Sequence, residues 1–521
     1  MAESRVKKTL INARINFVFY FVMLVVSFFS RKIFLTYMGA DFMGLTGTLR
    51  NLLGFLNLAE LGIGVAISYV LYKPLYDRDD KSICEIISVL GYLYRWIGFI
   101  ILTIGCIIAC FLPLIFPFES RYNEATGECL SLGVVYFAYF AFLSSTLIGY
   151  FINYRQTLLS ADQRNYVVTA YYQTMNVIRI LLQMALIYYT RSFYVWLVIE
   201  FSFGILYSLV LNWRINKTYP WLKTDIRNGH ALMKKYPAVL IKTKQLFIHQ
   251  IGNAVQFQTR QVLIYSFVSL STVTMYGNYT IIVDKLYLLM SNFLSGMGAS
   301  VGNLIAEGNK TKIQNVFWEL FSFRMFLYST IIFSIYHLIN PFIVLWLGKE
   351  YLFSKDVVTV IVAYMFIDQY RGCTYQFLIG YGLVNDIWAP LAEAAIYIVV
   401  SIVGGYFLGL IGVLLGPVVS TFVVEFLWKP YYLFKRGFEI PVYIYWINNF
   451  KYIILTAVAA VISVYILKRI GLLADMVTWK SWILNGVCTT LVFALCEAAF
   501  LYVFTNGGRM FVNRFMKFRH A

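Results

Sequence analysis

Apolar runs long enough to cross a bilayer recur from one end of this chain to the other. A helix rises about 1.5 Å per residue, so a hydrocarbon core of about 30 Å needs roughly 20 apolar residues. Fourteen such runs can be marked, the first near 15–37 and the last near 481–505. Hydrophobic residues make up 60% of the 521 and charged residues 13%, more apolar surface than one soluble core can bury. Short alternating strands, the mark of an outer-membrane barrel, are not seen. The expected fold class is all-α: a polytopic membrane protein of about fourteen transmembrane helices.

The net charge of +18 raises nucleic acid as a partner, but its distribution points elsewhere. With both termini placed in the cytoplasm, most cations fall in inner segments, which is the positive-inside bias. The densest cluster is 214–244, with eight cations from Arg214 to Lys244 against Asp225 alone. The acidic loop "FESRYNEATGEC" (118–129) then lies outside. Anionic membrane lipid is the expected partner of the basic segments, and nucleic acid is not. The N-terminal run is basic and then apolar, without a small-residue cleavage site, and reads as an uncleaved first span. Seven scattered cysteines give neither a disulfide framework nor a metal site, and no cofactor is expected.

The long polar interruption at 214–244 divides six spans from eight. It suggests an N-lobe over 1–213, a basic cytoplasmic linker over 214–244 and a C-lobe over 245–437. Spans 13 and 14 and a basic tail then occupy 438–521. Weak internal repetition supports two six-helix lobes. "ELGIGVA" (60–66) resembles "LSGMGAS" (294–300), and Asn165 and Asn385 fall in corresponding loops.

Polar residues inside the spans form stripes. In the seventh span Lys242, Gln245, His249, Asn253, Gln256 and Arg260 step by three or four, which puts them on one helix face about 27 Å long. Such a stripe must face protein or water. Thr46, Arg50, Asn57, Glu60, Gly64 and Ser68 are expected on one face within about 80°, as are Asn278, Lys285, Asn292 and Asn303. Gln173, Asn176, Arg179 and Gln183 form a broader arc, and Asp368 and Arg371 lie three apart. The candidate cavity-lining, substrate-binding residues are therefore Arg50, Asn57, Glu60, Arg179, His249, Asn253, Gln256, Arg260, Lys285, Asn292 and Arg371. No catalytic residue and no metal ligand is assigned.

Plainer readings stand beside these. Asp368 and Arg371 suit an intrahelical ion pair, and Glu60 could neutralise Arg50 one turn away. Glu393, Glu425 and Glu497 suit structural carboxylates. His249 fits a hydrogen-bonded structural role as well as a proton relay. If the stripes do line a cavity, arginine forks suit phosphate, while amides and hydroxyls suit sugar. A lipid with a phosphorylated, glycosylated head would fit, its tail remaining in the bilayer.

Several stretches resemble bacterial Wzx-like polysaccharide flippases of the MATE/oligosaccharidyl-lipid/polysaccharide exporter superfamily. They are "AISYVLYKPLYDRDDKSI", "NYRQTLLSADQRNY", "LFIHQIGNAV", "MSNFLSGMGASVGNLIAEGN" and "GLIGVLLGPVVSTFV", within a likeness spanning most of 10–430. The resemblance implies a MATE-like fold of two lobes working by alternating access in the bacterial cytoplasmic membrane. It implies an undecaprenyl-diphosphate-linked oligosaccharide as substrate, with a polysaccharide polymerase and glycosyltransferases as partners. Relatives carry T-D-N where this chain has Thr259-Arg260-Gln261, so a cation-coupling role does not transfer to that position. Alternatives are a cation-coupled multidrug antiporter and a peptidoglycan-precursor flippase of the same superfamily. A membrane glycosyltransferase or polymerase would need an accessible catalytic site and a sizeable outer loop, and no outer loop here exceeds about a dozen residues. No nucleotide-binding motif is present.

Overall fold

The computed structural model describes residues 5–60, 62–117, 121–122, 129–295, 297–383, 385–473 and 476–520. The chain is helical almost throughout and forms two compact units, Met1–Thr274 and Met275–Ala521.

The first unit contains α1 (Arg5–Met38), α2 (Ala40–Gly54), α3 (Ile63–Asp77), α4 (Asp80–Ile115), α5 (Leu132–Ile152), α6 (Gln156–Ala161), α7 (Asn165–Thr190), α8 (Phe193–Thr218), α9 (Gly229–Lys235) and α10 (Pro237–Phe267). Between α4 and α5, strands β1 (Arg121–Tyr122) and β2 (Cys129–Leu130) pair antiparallel across the acidic loop. Helix α11 (Leu270–Ser295) starts in this unit and continues into the second. The second unit continues with α12 (Met297–Ala306), α13 (Lys310–Trp346), α14 (Lys355–Gly380), α15 (Trp388–Leu408), α16 (Leu410–Thr421), α17 (Lys429–Leu433), α18 (Tyr443–Arg469), α19 (Trp479–Phe504) and α20 (Asn506–His520).

Among the described residues, nine helical stretches are long and apolar enough to cross a membrane, or ten if the bent pair containing α2 and α3 is one span. The remaining long helices are α7, α10, α11 and α14, of 26, 31, 26 and 26 residues. Each has the length of a span but carries polar residues along it. The sequence reading counts these four among its fourteen spans, and the polar stripes lie along them.

Local chemistry sets several helix ends. The Asp79 carboxylate accepts the Ser82 amide at 3.1 Å and caps α4, and Asn309 accepts the Lys312 amide at 3.0 Å to cap α13. Thr478 and Ser481 form a reciprocal capping box on α19. Between α15 and α16, Gly409 turns the chain at φ 56° and ψ −130°, a conformation open to glycine but not to side chains with a Cβ. The two helices then pack so closely that a Cβ on Gly412 would sit 1.8 Å from the Gly404 carbonyl oxygen. The glycines of "GLIGVLLG" are thus those of a helical hairpin. Beyond Thr421 the helix widens to π geometry over Phe422–Trp428, just before Pro430, whose ring crowds the carbonyl four residues back.

The first copy of the repeated glycine motif, 60–66, falls at a helix break. The chain passes there from a short 3-10 turn at Leu56–Glu60 to α3. One expectation is corrected here. Because α2 ends at Gly54, residues 46–68 do not form one continuous helix, and a helical wheel drawn through them joins side chains that point separate ways. The stripe from Lys242 to Arg260 does lie on one uninterrupted helix, α10.

Helix α10 packs against α2 and α3 within the first unit. Gln261 and Gln258 of α10 reach α2 where Gly47 and Gly54 lack side chains; a Cβ there would come within 2.6 and 2.2 Å of their amide oxygens. The basic stretch before α10 is folded rather than open. Glu85 of α4 accepts from Lys235 at 2.5 Å and from Tyr236 at 2.7 Å, and the Asp225 amide donates to Ser88 at 2.8 Å.

Candidate functional site: an arginine pair on one carboxylate

Glu200 is the one acidic residue of α8. Its Oε1 lies 2.6 Å from an Arg50 guanidinium nitrogen, and Arg179 of α7 pairs with the same oxygen. Gln183, one turn further along α7, donates to Glu200 Oε2 at 3.1 Å and to the Trp196 carbonyl at 3.1 Å. Arg179 also donates to Asn176. The consecutive helices α7 and α8 and the sequence-distant α2 thus converge on one carboxylate. The Arg50 guanidinium lies 5.0 Å from the Phe142 ring centre and 5.9 Å from that of Trp196, so two aromatic faces add cation–π attraction.

Two guanidinium charges against one carboxylate leave a net positive site. Burial is uneven: the side chains of Arg179 and Glu200 are 18% and 12% exposed, that of Arg50 49%. Beside Arg179 and Glu200 opens a cavity of about 130 Å³, lined also by Ser145, Tyr172, Met175, Asn176, Phe203, Gly204 and Tyr207. Its wall combines charge, amide, hydroxyl and aromatic faces, the set that a phosphorylated sugar head could use.

Of the other candidates in this unit, Asn57 accepts from the Tyr150 hydroxyl at 3.0 Å and Glu60 accepts from Tyr94. Neither contacts Arg50, so the reading in which Glu60 neutralises Arg50 is replaced by the pairing with Glu200. Gln256 is buried and Arg260 half-buried on α10, while Lys242 lies 5.2 Å over the Tyr69 ring. The side chains of Gln245, His249, Asn253 and Asn292 lie outside the described residues, as does the proton-relay question for His249.

The second unit holds Lys285, half-buried on α11, and Arg371 on α14. Arg371 lies 3.3 Å from Asp368, as expected for an i,i+3 pair, but its shorter contact is Glu393 of α15 at 2.7 Å, and Glu425 follows at 3.6 Å. All three carboxylates are buried. Arg371 is therefore the centre of an ionic cluster joining α14, α15 and the π segment. Nearby in sequence, buried Lys429 donates to Asp386 at 2.7 Å.

Glu200 escaped the sequence reading because it belongs to no stripe; its neighbours Ile199 and Phe201 are apolar. A lone acid in an otherwise apolar span was the available signal, since such a residue needs a partner.

The fold defines a class: a polytopic, all-α membrane protein built like known transporters. In particular, the chain is similar in structure to the lipid II flippase MurJ in an inward closed conformation, with a TM-score of 0.63 at 15% identity over 93% of this chain and 98% of that one. It is also similar to an inward-facing multidrug resistance MATE family transporter of the MOP superfamily, with a TM-score of 0.60 at 15% identity over 80% of this chain and 96% of the other. No protein-family profile matches the sequence, and no curated protein does.

Proposed function

We propose that this protein is a flippase that carries undecaprenyl-diphosphate-linked oligosaccharide repeat units from the inner to the outer leaflet of a bacterial cytoplasmic membrane by alternating access. The observation that carries this reading is the arginine pair Arg50 and Arg179, net positive beside a polar and aromatic cavity, in a fold shared with a lipid-linked flippase. Arg260, half-buried on α10, adds a third cation of the first unit. Guanidinium forks match phosphate oxygens two at a time, tyrosines and amides suit sugar, and the tail stays in lipid. Both termini are cytoplasmic in this reading, and the basic segments meet anionic lipid. A polymerase and glycosyltransferases act on the product and precursor.

The membrane potential assists. Moving a diphosphate outward across a potential negative inside gains about 2.3 kcal/mol per charge per 100 mV. Arginines that move with it offset that gain and then favour return of the empty carrier.

The cluster Asp368, Glu393 and Glu425 around one arginine favours a second reading, a cation-coupled drug antiporter, because acids outnumber the base there. Purified protein in liposomes separates the two. Transbilayer movement of an undecaprenyl-diphosphate oligosaccharide, faster than in empty liposomes, supports the flippase. Proton- or sodium-driven efflux of a cationic dye without glycolipid movement supports the antiporter. Transfer of labelled sugar from a donor would indicate an enzyme instead.

A further inference from the structure

The charge balance at Glu200 goes beyond the presence of arginines. Its Oε1 receives both Arg50, at 2.6 Å, and Arg179. Its Oε2 is held by Gln183 at 3.1 Å, and that amide is fixed in turn by the Trp196 carbonyl. The carboxylate therefore presents one oxygen to two guanidinium groups, much as a bridging phosphate oxygen would. It stands in the wall of the cavity that Arg179 also lines, and Arg50 keeps about half its side chain exposed. An anion arriving in that cavity meets cations that already have a partner.

We infer that Glu200 is a built-in competitor for anionic cargo: it holds the Arg50 and Arg179 forks together when no cargo is bound and yields Oε1 to an incoming phosphate oxygen. The inference rests on the function proposed above and adds a residue that sets specificity and release. Two forks and one carboxylate sum to a single positive charge. A monoanion gains little by displacing Glu200, since it only replaces one negative partner with another. A head with two adjacent phosphates brings at least two charges and can bridge both guanidinium groups. Discrimination for diphosphate over single-charged heads follows from that count. So does reversibility, because Glu200 is positioned to reclaim the arginines as cargo leaves.

Removing the competitor should tighten anion binding. One charge-assisted hydrogen bond freed for the ligand corresponds to about tenfold or more in affinity. The test is binding of inorganic pyrophosphate to the full-length protein in detergent, by calorimetry, for wild type and Glu200→Gln. The glutamine keeps the shape and can still meet Gln183. The expected result is at least about tenfold tighter binding in Glu200→Gln, reversed by adding Arg179→Gln, with slower turnover of glycolipid in liposomes. Equal or weaker pyrophosphate binding in a folded Glu200→Gln protein overturns the inference. Should that variant not yield monodisperse protein, Glu200→Asp serves. Its carboxylate is one methylene short of the forks, and binding no tighter than wild type overturns the inference as well. The two ideas fail separately. Tighter pyrophosphate binding in a protein that flips no lipid diphosphate removes the proposed cargo and keeps the role of Glu200. Wild-type flipping with unchanged binding in Glu200→Gln removes that role and keeps the cargo.

Discussion

Glu200 Oε1 stands 2.6 Å from an Arg50 guanidinium nitrogen, joining α8 to α2, and Arg179 of α7 closes on the same oxygen. Removing the acid strands two cations, one of them largely buried, whereas removing Arg50 leaves Glu200 paired with Arg179. Glu200→Ala should therefore lower stability by about 3 kcal/mol or more, and Arg50→Ala, half exposed, by about 1 kcal/mol or less. Thermal unfolding in detergent ranks the two, and the reverse order would show that the carboxylate is not the hub.

Arg371 faces three buried carboxylates. Arg371→Ala leaves them mutually repelling, with an expected cost of about 3–5 kcal/mol and loss of folded protein. Arg371→Lys should recover part of it, since an ammonium cannot serve three acids from a planar fork. Expression and monodispersity check this. A stable Arg371→Ala protein would mean that the cluster contributes little to folding and would return Arg371 to the cargo-contacting candidates.

The legible part of the site was the part written in helical period. The steps from Lys242 to Arg260 predict one face because α10 runs unbroken from Pro237 to Phe267. The same arithmetic misled over 46–68, where the chain leaves the α-helix after Gly54. There, periodicity grouped Arg50 with Glu60, while the fold gave Arg50 to Glu200 and Glu60 to Tyr94. The pair Asp368–Arg371 was visible as an i,i+3 spacing. Glu393 and Glu425 come from other elements, and no local pattern announces a tertiary partner. Fold class was legible throughout, because bilayer-length apolar runs have few alternatives.

The α15–α16 hairpin depends on the contact of Gly404 with Gly412. Gly412→Leu cannot be accommodated without separating the helices, which should cost at least about 1–3 kcal/mol. Substitution of Leu at Gly302, where a Cβ meets nothing within 4 Å, serves as the control. Comparable stability of the two variants would contradict the close packing.

The segment before α10 should be held by Glu85. Its hydrogen bond to Lys235 raises the lysine's pKa, although Lys235 is exposed. A raised lysine pKa means the contact contributes below the lysine's unfolded pKa and is lost as pH rises through the raised value. A cysteine placed at 234 should react faster with a soluble maleimide in Glu85→Gln than in the parent at the same pH. Equal rates would show that Glu85 does not dock the segment.

The central claim is that cations of the first unit carry a diphosphate-linked glycan across the membrane. The most direct measurement is a leaflet-specific assay in liposomes containing an undecaprenyl-diphosphate oligosaccharide, with an impermeant reagent scoring the exposed glycan, for wild type and an Arg260 series of equal expression. The account predicts rapid movement for wild type. Arg260→Ala should be slower, by about the tenfold or more that one lost charge-assisted hydrogen bond implies. Arg260→Lys should fall between them, and Arg260→Asp below Ala. Wild-type movement of the glycolipid by a well-folded Arg260→Asp protein would contradict it.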